Sequence, residues 1–290
     1  MRMIFALVAK SARAKEKKQK MSNKIALRPS YWASVSGGKD SLYMLNLILH
    51  NLDHYPLDGV VHFELEIDYP FIHDVIDYME SECKRFGIRF VRIKPRKTWE
   101  ELYYRVKPKQ GHIYGFPTRI VRWCNSDYKL DAKRQLSEWL NSLGYYVVHY
   151  IGYCADEERR FNKRLTANKA ERYPLVENEI NEDVIWEWAK TQPIFNHFYE
   201  FNKRCGCMFC PMASKIQMAY LLKYYPEHFQ YMIEKMRETE KIIEGKTGRP
   251  FSVISSNPKY NADYLDHIIR TKWLKILNEK ENEAEQLRFF

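Results

Sequence analysis

Residues 31–49, YWASVSGGKDSLYMLNLIL, limit what this chain can fold into more than any other stretch. The apolar run 31–35 reads as a buried strand. Ser36-Gly37-Gly38-Lys39-Asp40-Ser41 follows without a spacer, and an amphipathic apolar segment begins at once. The order is strand, glycine turn, helix. Adjacent glycines admit backbone conformations closed to other residues and leave room for a ligand against the main chain. The N–H groups of such a turn and of the helix start converge on one point, where the helix dipole and Lys39 add positive charge. A phosphate suits that point. The Walker A spacing, G-x-x-x-x-G-K-S/T, is missing, so a different phosphate loop is expected. The plain alternative is an ordinary strand-to-helix turn with a chance Lys-Asp. Agreement of strand pattern, turn chemistry and helix disfavours it.

The same alternation continues. Residues 57–65 and 89–93 read as strands, with a helix over 74–86 between them, where Ile76, Met79, Cys83 and Phe86 recur at helical spacing. A further helix is expected over 127–143 and a buried strand over 145–152. Strands alternating with helices argue for crossover connections and a doubly wound parallel sheet, whose ligands sit at the carboxyl ends of the strands. Residues 95–117 are rich in aromatics (Trp99, Tyr103, Tyr104, Tyr114, Phe116) and fit no element clearly. From 185 onward the pattern is mostly helical, with helices over 215–225 and 228–243 stopped by Gly245, Gly248 and Pro250. The expected organisation is a leader, 1–22, an α/β nucleotide-binding domain, 23–190, and a cysteine-bearing helical region, 191–290.

The net charge of +10 raises the question of nucleic acid, but seven of the 47 basic residues fall in the first twenty positions against one acid. The remainder carries only +4, which gives little support for a large phosphate-backbone footprint. The leader pairs a short apolar run with a basic stretch in an order unlike a secretory signal. It reads as flexible or as preceding a start at Met21. No apolar run approaches the roughly 18–20 residues of a membrane span, and the expectation is a cytoplasmic protein.

Six cysteines bear on the chemistry. Cys83 lies on an apolar helical stripe and reads as a buried structural thiol. Cys205, Cys207 and Cys210 crowd into six residues with the C-x-x-C spacing that lets two thiolates grip one metal centre. Zinc and an iron–sulfur cluster both take four thiolates, and a redox C-x-x-C is a third reading.

SGGKDS resembles the pyrophosphate-binding loop of the PP-loop ATP pyrophosphatases, the adenine nucleotide alpha hydrolase superfamily. Further segments, GFPTRIVRWCNSDYK (115–129), IGYCADEERR (151–160) and PLVENEINEDVIWEW (174–188), resemble in order those of 3′-phosphoadenylyl sulfate reductase-like proteins. Cys207-x-x-Cys210-Pro211 comes where iron–sulfur-bearing members carry their pair. The resemblance implies a five-stranded parallel sheet, an adenine nucleotide, Mg2+ and a 4Fe-4S cluster, with zinc the alternative. Its implied ligands are Cys124, Cys207 and Cys210, with Cys205 fourth and Cys154 the outsider. It implies that Ser36, Lys39 and Asp40 serve catalysis and that Ser34, Ser36, Gly37, Gly38, Lys39, Asp40 and Ser41 bind the nucleotide. Lys39 would neutralise the pyrophosphate, and Asp40 would hold Mg2+, orient Lys39 or cap the helix. Glu157 and Arg160 would meet ribose or the α-phosphate, and Arg122 and Lys129 flank Cys124. The reductases use a nucleophilic cysteine near the C-terminus, and here Cys210 is the last. The expectation is therefore an enzyme that cleaves ATP to pyrophosphate and an adenylated intermediate in sulfur transfer. Its partners would be a sulfur donor such as a cysteine desulfurase and a tRNA or DNA acceptor, and an oligomer is compatible. A sulfonucleotide reductase using an external thiol is the alternative. A non-catalytic nucleotide- or nucleic-acid-binding accessory is the reading from another class.

Overall fold

The computed structural model describes residues 27–158 and 170–288. Five parallel strands form one sheet in the order β3-β2-β1-β4-β5: β1 (Arg28–Val35), β2 (Gly59–Phe63), β3 (Phe90–Ile93), β4 (Tyr145–Tyr150) and β5 (Glu171–Arg172). Helix α1 (Lys39–Leu49) leaves β1, and α2 (Pro70–Arg85) joins β2 to β3. α3 (Trp99–Tyr103) and α4 (Leu130–Ser142) lie between β3 and β4. The order reverses between β1 and β4, so their carboxyl ends flank the crevice where doubly wound sheets take ligands. The sheet expected from the sequence is the one observed.

The two faces are unequal. Among the described elements α4 covers one, through Leu136 and Leu140 against Trp32, Val61 and Val147. The other face carries α1, α2 and the large core, which extends without a break into the C-terminal helices. These are α5 (Pro174–Glu177), α6 (Glu182–Lys190), α7 (Phe198–Phe201), α8 (Lys215–Tyr224), α9 (Pro226–Thr247), α10 (Ala262–Ile268) and α11 (Leu274–Arg288). His62 on β2 and His149 on β4 are buried on either side of β1. His62 Nδ1 lies 3.1 Å from the Val35 carbonyl, and His149 Nδ1 lies 2.8 Å from Ser34 Oγ. Burial pushes their pKa values down to about 4 and about 3, so both rings are neutral at ordinary pH.

Several boundaries differ from the sequence expectation. α2 begins at Pro70, four residues early, because proline suits the first helical turn, where its missing N–H is no loss. α9 runs through Gly245 and ends where Gly248 adopts φ +65°, the left-handed cap that glycine supplies cheaply. The helix expected over 127–143 starts as a wide π-type turn, Cys124–Lys129, which leads into α4. No helix among the described residues is long and apolar enough to cross a membrane.

Candidate functional site

Gly37 holds φ +72°, and a Cβ there would stand 2.7 Å from Ile72 Cγ2 on α2, so the glycine turn is pressed against the core. Gly38 precedes α1 in extended conformation and offers no side chain of its own to cap the helix start. Ser41 Oγ accepts from the Ser36 N–H (3.2 Å) and donates to the Gly38 carbonyl (2.9 Å), pinning the loop into a closed curve. Gly152, just beyond β4, comes so near that a Cβ would lie 3.0 Å from the Asp40 carbonyl oxygen. The loop therefore occupies the β1–β4 crevice.

Lys39 does not project into solvent. It is 4 % exposed, and its ammonium contacts Asp40 Oδ1 at 2.6 Å and Glu182 Oε1 at 3.1 Å. Burial pulls its pKa down, but the two carboxylates outweigh burial and the net shift is upward, so the site keeps its positive charge. Burial raises Asp40, with Lys39 opposing and Glu157 and Glu182 reinforcing. One cation thus faces several carboxylates beside a helix N-terminus. Asp40 fits the role of orienting Lys39, and the same oxygens suit Mg2+. Glu182, in the first turn of α6, was not singled out from the sequence; only its place in the segment 174–188 hinted at it.

The thiols are gathered by the aromatic stretch that sequence patterning left unassigned. Thr98 and Glu101 form a reciprocal capping box at the start of α3 and set Trp99 into the core. The Trp99 ring packs against Trp123 (centroids 5.6 Å apart) and against Phe209 (5.6 Å apart). Trp123 immediately precedes Cys124, and Phe209 lies between Cys207 and Cys210, so one aromatic platform sets the two thiol-bearing turns side by side. Trp123 Nε1 donates to the Gly115 carbonyl at 3.0 Å, and the Met208 N–H donates to the Ile67 carbonyl at 2.8 Å. These bonds anchor the first turn to the loop that leads into it and the second to the segment that follows β2.

The four thiols feel one another. Burial pushes Cys124 up to about 11, aided by Cys210 and opposed by Arg122. Cys207 donates to Cys210, which lowers the Cys210 pKa and raises that of Cys207. Burial raises Cys205 as well, with Asp68 and Cys210 adding to it and the Tyr199 hydroxyl opposing. Among the described residues no three His, Cys, Asp or Glu side chains converge closely enough to hold a single ion. Around one tetrahedral zinc the sulfurs would stand about 3.8 Å apart, whereas a cluster takes each thiolate on a different iron and so spreads them. The donor set is soft and free of disulfides, chemistry that zinc and a cluster both accept.

Of the remaining expected residues, Ser34 turns to His149 within the sheet. Glu157 forms an ion pair with Arg204, next to Cys205, and its charge is felt at Asp40, so it stands between the two sites. Arg160 lies outside the described residues. Cys154 is buried beside Asp40, Glu157 and Lys39 rather than among the other thiols. Tyr199, on α7, was missed entirely. It is buried, and its hydroxyl accepts from the Lys39 N–H at 3.2 Å. A lone tyrosine in an aromatic run carries no motif that would reveal this. Two recesses stand apart from the loop. One of ≈ 770 Å³, lined by Ser30, Asp58 and Trp139, opens at the amino ends of the strands, the wrong end for a parallel sheet's ligand. Another, of ≈ 420 Å³, borders Phe209 and is lined by Glu66, Trp99, His228 and Tyr231.

No protein-family model matches the chain. An uncharacterized protein of Methanocaldococcus jannaschii is 27 % identical over 229 residues, which are 73 % of this chain and 50 % of that protein. The chain thus spans about half the length of this curated relative. Among solved structures, a U34-tRNA thiolase, NcsA, from Methanococcus maripaludis with its 4Fe-4S cluster superposes with a TM-score of 0.37 and 16 % identity, covering 81 % of each chain.

Proposed function

We propose that the chain is a nucleotide-binding enzyme that cleaves ATP between the α- and β-phosphates and uses the adenylated product in sulfur transfer. The observation that carries this reading is the Ser36–Ser41 glycine turn at the head of α1, with the Lys39 ammonium beside it, in the crevice between β1 and β4. An acceptor oxygen attacks the α-phosphorus, the bond from that phosphorus to the bridging oxygen breaks, and pyrophosphate leaves with the electron pair. The loop N–H groups and Lys39 hold the departing pyrophosphate, because preorganised donors stabilise charge as it develops. Ser36 and Ser41 keep the loop curved, and Asp40 and Glu182 hold the Lys39 ammonium in register while offering oxygens to Mg2+.

Cys124, Cys205, Cys207 and Cys210 would hold a 4Fe-4S cluster, which when bound supplies redox or sulfur-carrying chemistry. Arg122 and Lys129 flank Cys124, and their positive charge favours the thiolate forms of Cys210 and Cys205 respectively. Arg119 reaches the Pro211 carbonyl at 3.5 Å, and the neighbouring Ile120 is 92 % exposed. This basic and apolar rim supports a polyanionic acceptor, tRNA or DNA, approaching over the thiols. The aromatic recess at Phe209 suits an unstacked base. Pyrophosphate release from ATP, measured with anaerobically purified protein alone and with tRNA or DNA, tests the reading. Acceptor-stimulated release supports it. Sulfite release from adenylyl sulfate with added thiol, without pyrophosphate release from ATP, overturns it.

A further inference from the structure

Between Pro117 and Trp123 the chain leaves the core and returns to it. Those two residues are buried, while Arg119, Ile120, Val121 and Arg122 are all exposed. The excursion is a closed turn. Thr118 Oγ1 accepts from the N–H groups of Ile120 (3.3 Å) and Val121 (3.0 Å), and the Thr118 N–H donates to the Val121 carbonyl at 3.1 Å. Arg119 Nε donates to the Pro211 carbonyl at 3.5 Å, and the Arg122 carbonyl accepts from the N–H groups of Asn125 and Ser126. The tip is thus tied both to the turn that carries Cys124 and to the residue that follows Cys210. It presents Ile120, the most exposed large apolar side chain among the described residues, next to the exposed Val121, and Met212 after Pro211 is exposed as well. An isoleucine held out in this way gains only when something covers it.

The flanking arginines say what covers it. Among the described residues no carboxylate pairs with Arg119 or Arg122, so both guanidinium groups are available to phosphate. A protein partner's apolar patch would have to desolvate these two unpaired charges. An apolar point between two cations instead matches side chains that wedge into stacked bases while arginines hold the backbone. The balance of only +4 outside the first twenty residues limits the phosphate footprint, which suits a loop better than a long duplex. Unstacking also costs least where bases are already unpaired, as in the loops of a folded RNA. We infer that Ile120 is a positioning residue that enters a base step in an RNA loop, with Arg119 and Arg122 on the flanking phosphates, and frees one base from its stack. Pro211 follows Phe209 by two residues, so the recess of Trp99, Phe209 and Tyr231 is at hand for the freed base. Glu66, Glu100 and Glu227 line that recess and repel phosphate, which keeps the backbone on the arginine side. The inference rests on the nucleic-acid acceptor of the proposed function.

The test uses the full chain and RNA hairpins carrying 2-aminopurine at successive loop positions, whose fluorescence rises when that base leaves its stack. Anisotropy of an end-labelled hairpin reports affinity separately. In the parent, one loop position is expected to brighten on binding. Ile120→Ala should cut that rise about tenfold, because the side chain that fills the vacated step has lost most of its apolar surface. Ile120→Leu keeps the volume and should keep the rise. Arg119→Ala and Arg122→Ala should each weaken binding and lower its salt dependence by about one phosphate contact. A parent that binds the hairpins without brightening at any position, or a rise of equal size in Ile120→Ala, overturns the inference. So does a preference for a DNA duplex over the hairpins, or self-association of the parent that Ile120→Ala abolishes while RNA binding is unchanged. Failure of the acceptor reading looks different: the parent then binds neither the hairpins nor unfractionated tRNA, and the wedge falls with it.

Discussion

Gly37→Ala tests whether the loop's shape comes from contact with the core. At φ +72° an alanine incurs the left-handed penalty of about 1–2 kcal/mol. Its Cβ would also stand 2.7 Å from Ile72 Cγ2 and 3.2 Å from Cδ1, with the Ile72 carbonyl at 3.4 Å. Ile72 is buried in the first turn of α2, so it cannot swing away, and overpacking of this kind costs about 1–3 kcal/mol. The expected loss is about 2–5 kcal/mol, a large share of the roughly 5–15 kcal/mol that stabilises a typical domain. Ile72→Ala removes the obstructing methyl. In that background the alanine at 37 should cost only the backbone part, leaving a coupling of about 1–3 kcal/mol. Urea unfolding of the four proteins of the cycle measures it. Calorimetry should show ATP binding weakened about tenfold or more in Gly37→Ala, which corresponds to about 1.4 kcal/mol. Equal cost in both backgrounds, or undiminished ATP binding in a destabilised loop, refutes the reasoning.

Other expectations follow from the same geometry. Glu182→Gln removes one of two carboxylates that hold the Lys39 ammonium in register, which should weaken ATP binding about fivefold, or about 1 kcal/mol, by calorimetry. Tighter binding would mean Glu182 competes with the nucleotide for Lys39. His62 and His149 are held neutral by burial, with folded pKa values of about 4 and about 3 against 6.5 unfolded. Between those limits the unfolded state binds the extra protons, so the two rings cost stability as pH drops below about 6.5, about 3–5 kcal/mol each, and outweigh the opposite contribution of Asp68, whose carboxyl burial raises to about 6. Denaturant midpoints from pH 4 to 8 would show this; a midpoint independent of pH would contradict it. Iron and acid-labile sulfide should be lost from a Cys207→Ser, Cys210→Ser double variant and kept in Cys154→Ser, because Cys154 lies beside Asp40 and not with the other thiols. Loss of iron from Cys154→Ser alone would reassign the fourth ligand.

The sheet and the loop were legible because strand periodicity and turn chemistry are local. Residues 31–41 state their own conformation, and β2, β3 and β4 follow from apolar runs bounded by polar turns. The thiol turns were legible as spacing, but their meeting was not. It depends on Trp99 touching both Trp123 and Phe209, and the second contact joins residues more than one hundred positions apart, which no period encodes. Glu182 and Tyr199 were illegible for the same reason. Each is an ordinary side chain whose role exists only where α6 and α7 fold back over the loop. Helix limits failed where a single residue type was read too simply. Gly245 is tolerated inside α9 because its neighbours Ile243 and Glu240 hold that helix on the core, whereas Gly248, free to turn left-handed, ends it.

The central claim is that the Ser36–Ser41 turn holds the pyrophosphate half of ATP while the chain acts on the α-phosphate. Phosphorus NMR of the products formed from ATP by the anaerobically purified protein, with tRNA and DNA acceptors, reads the position of cleavage directly. The account predicts AMP or an adenylated product together with pyrophosphate, and loss of both in Lys39→Ala. ADP and orthophosphate would show cleavage at the γ-phosphate and contradict it.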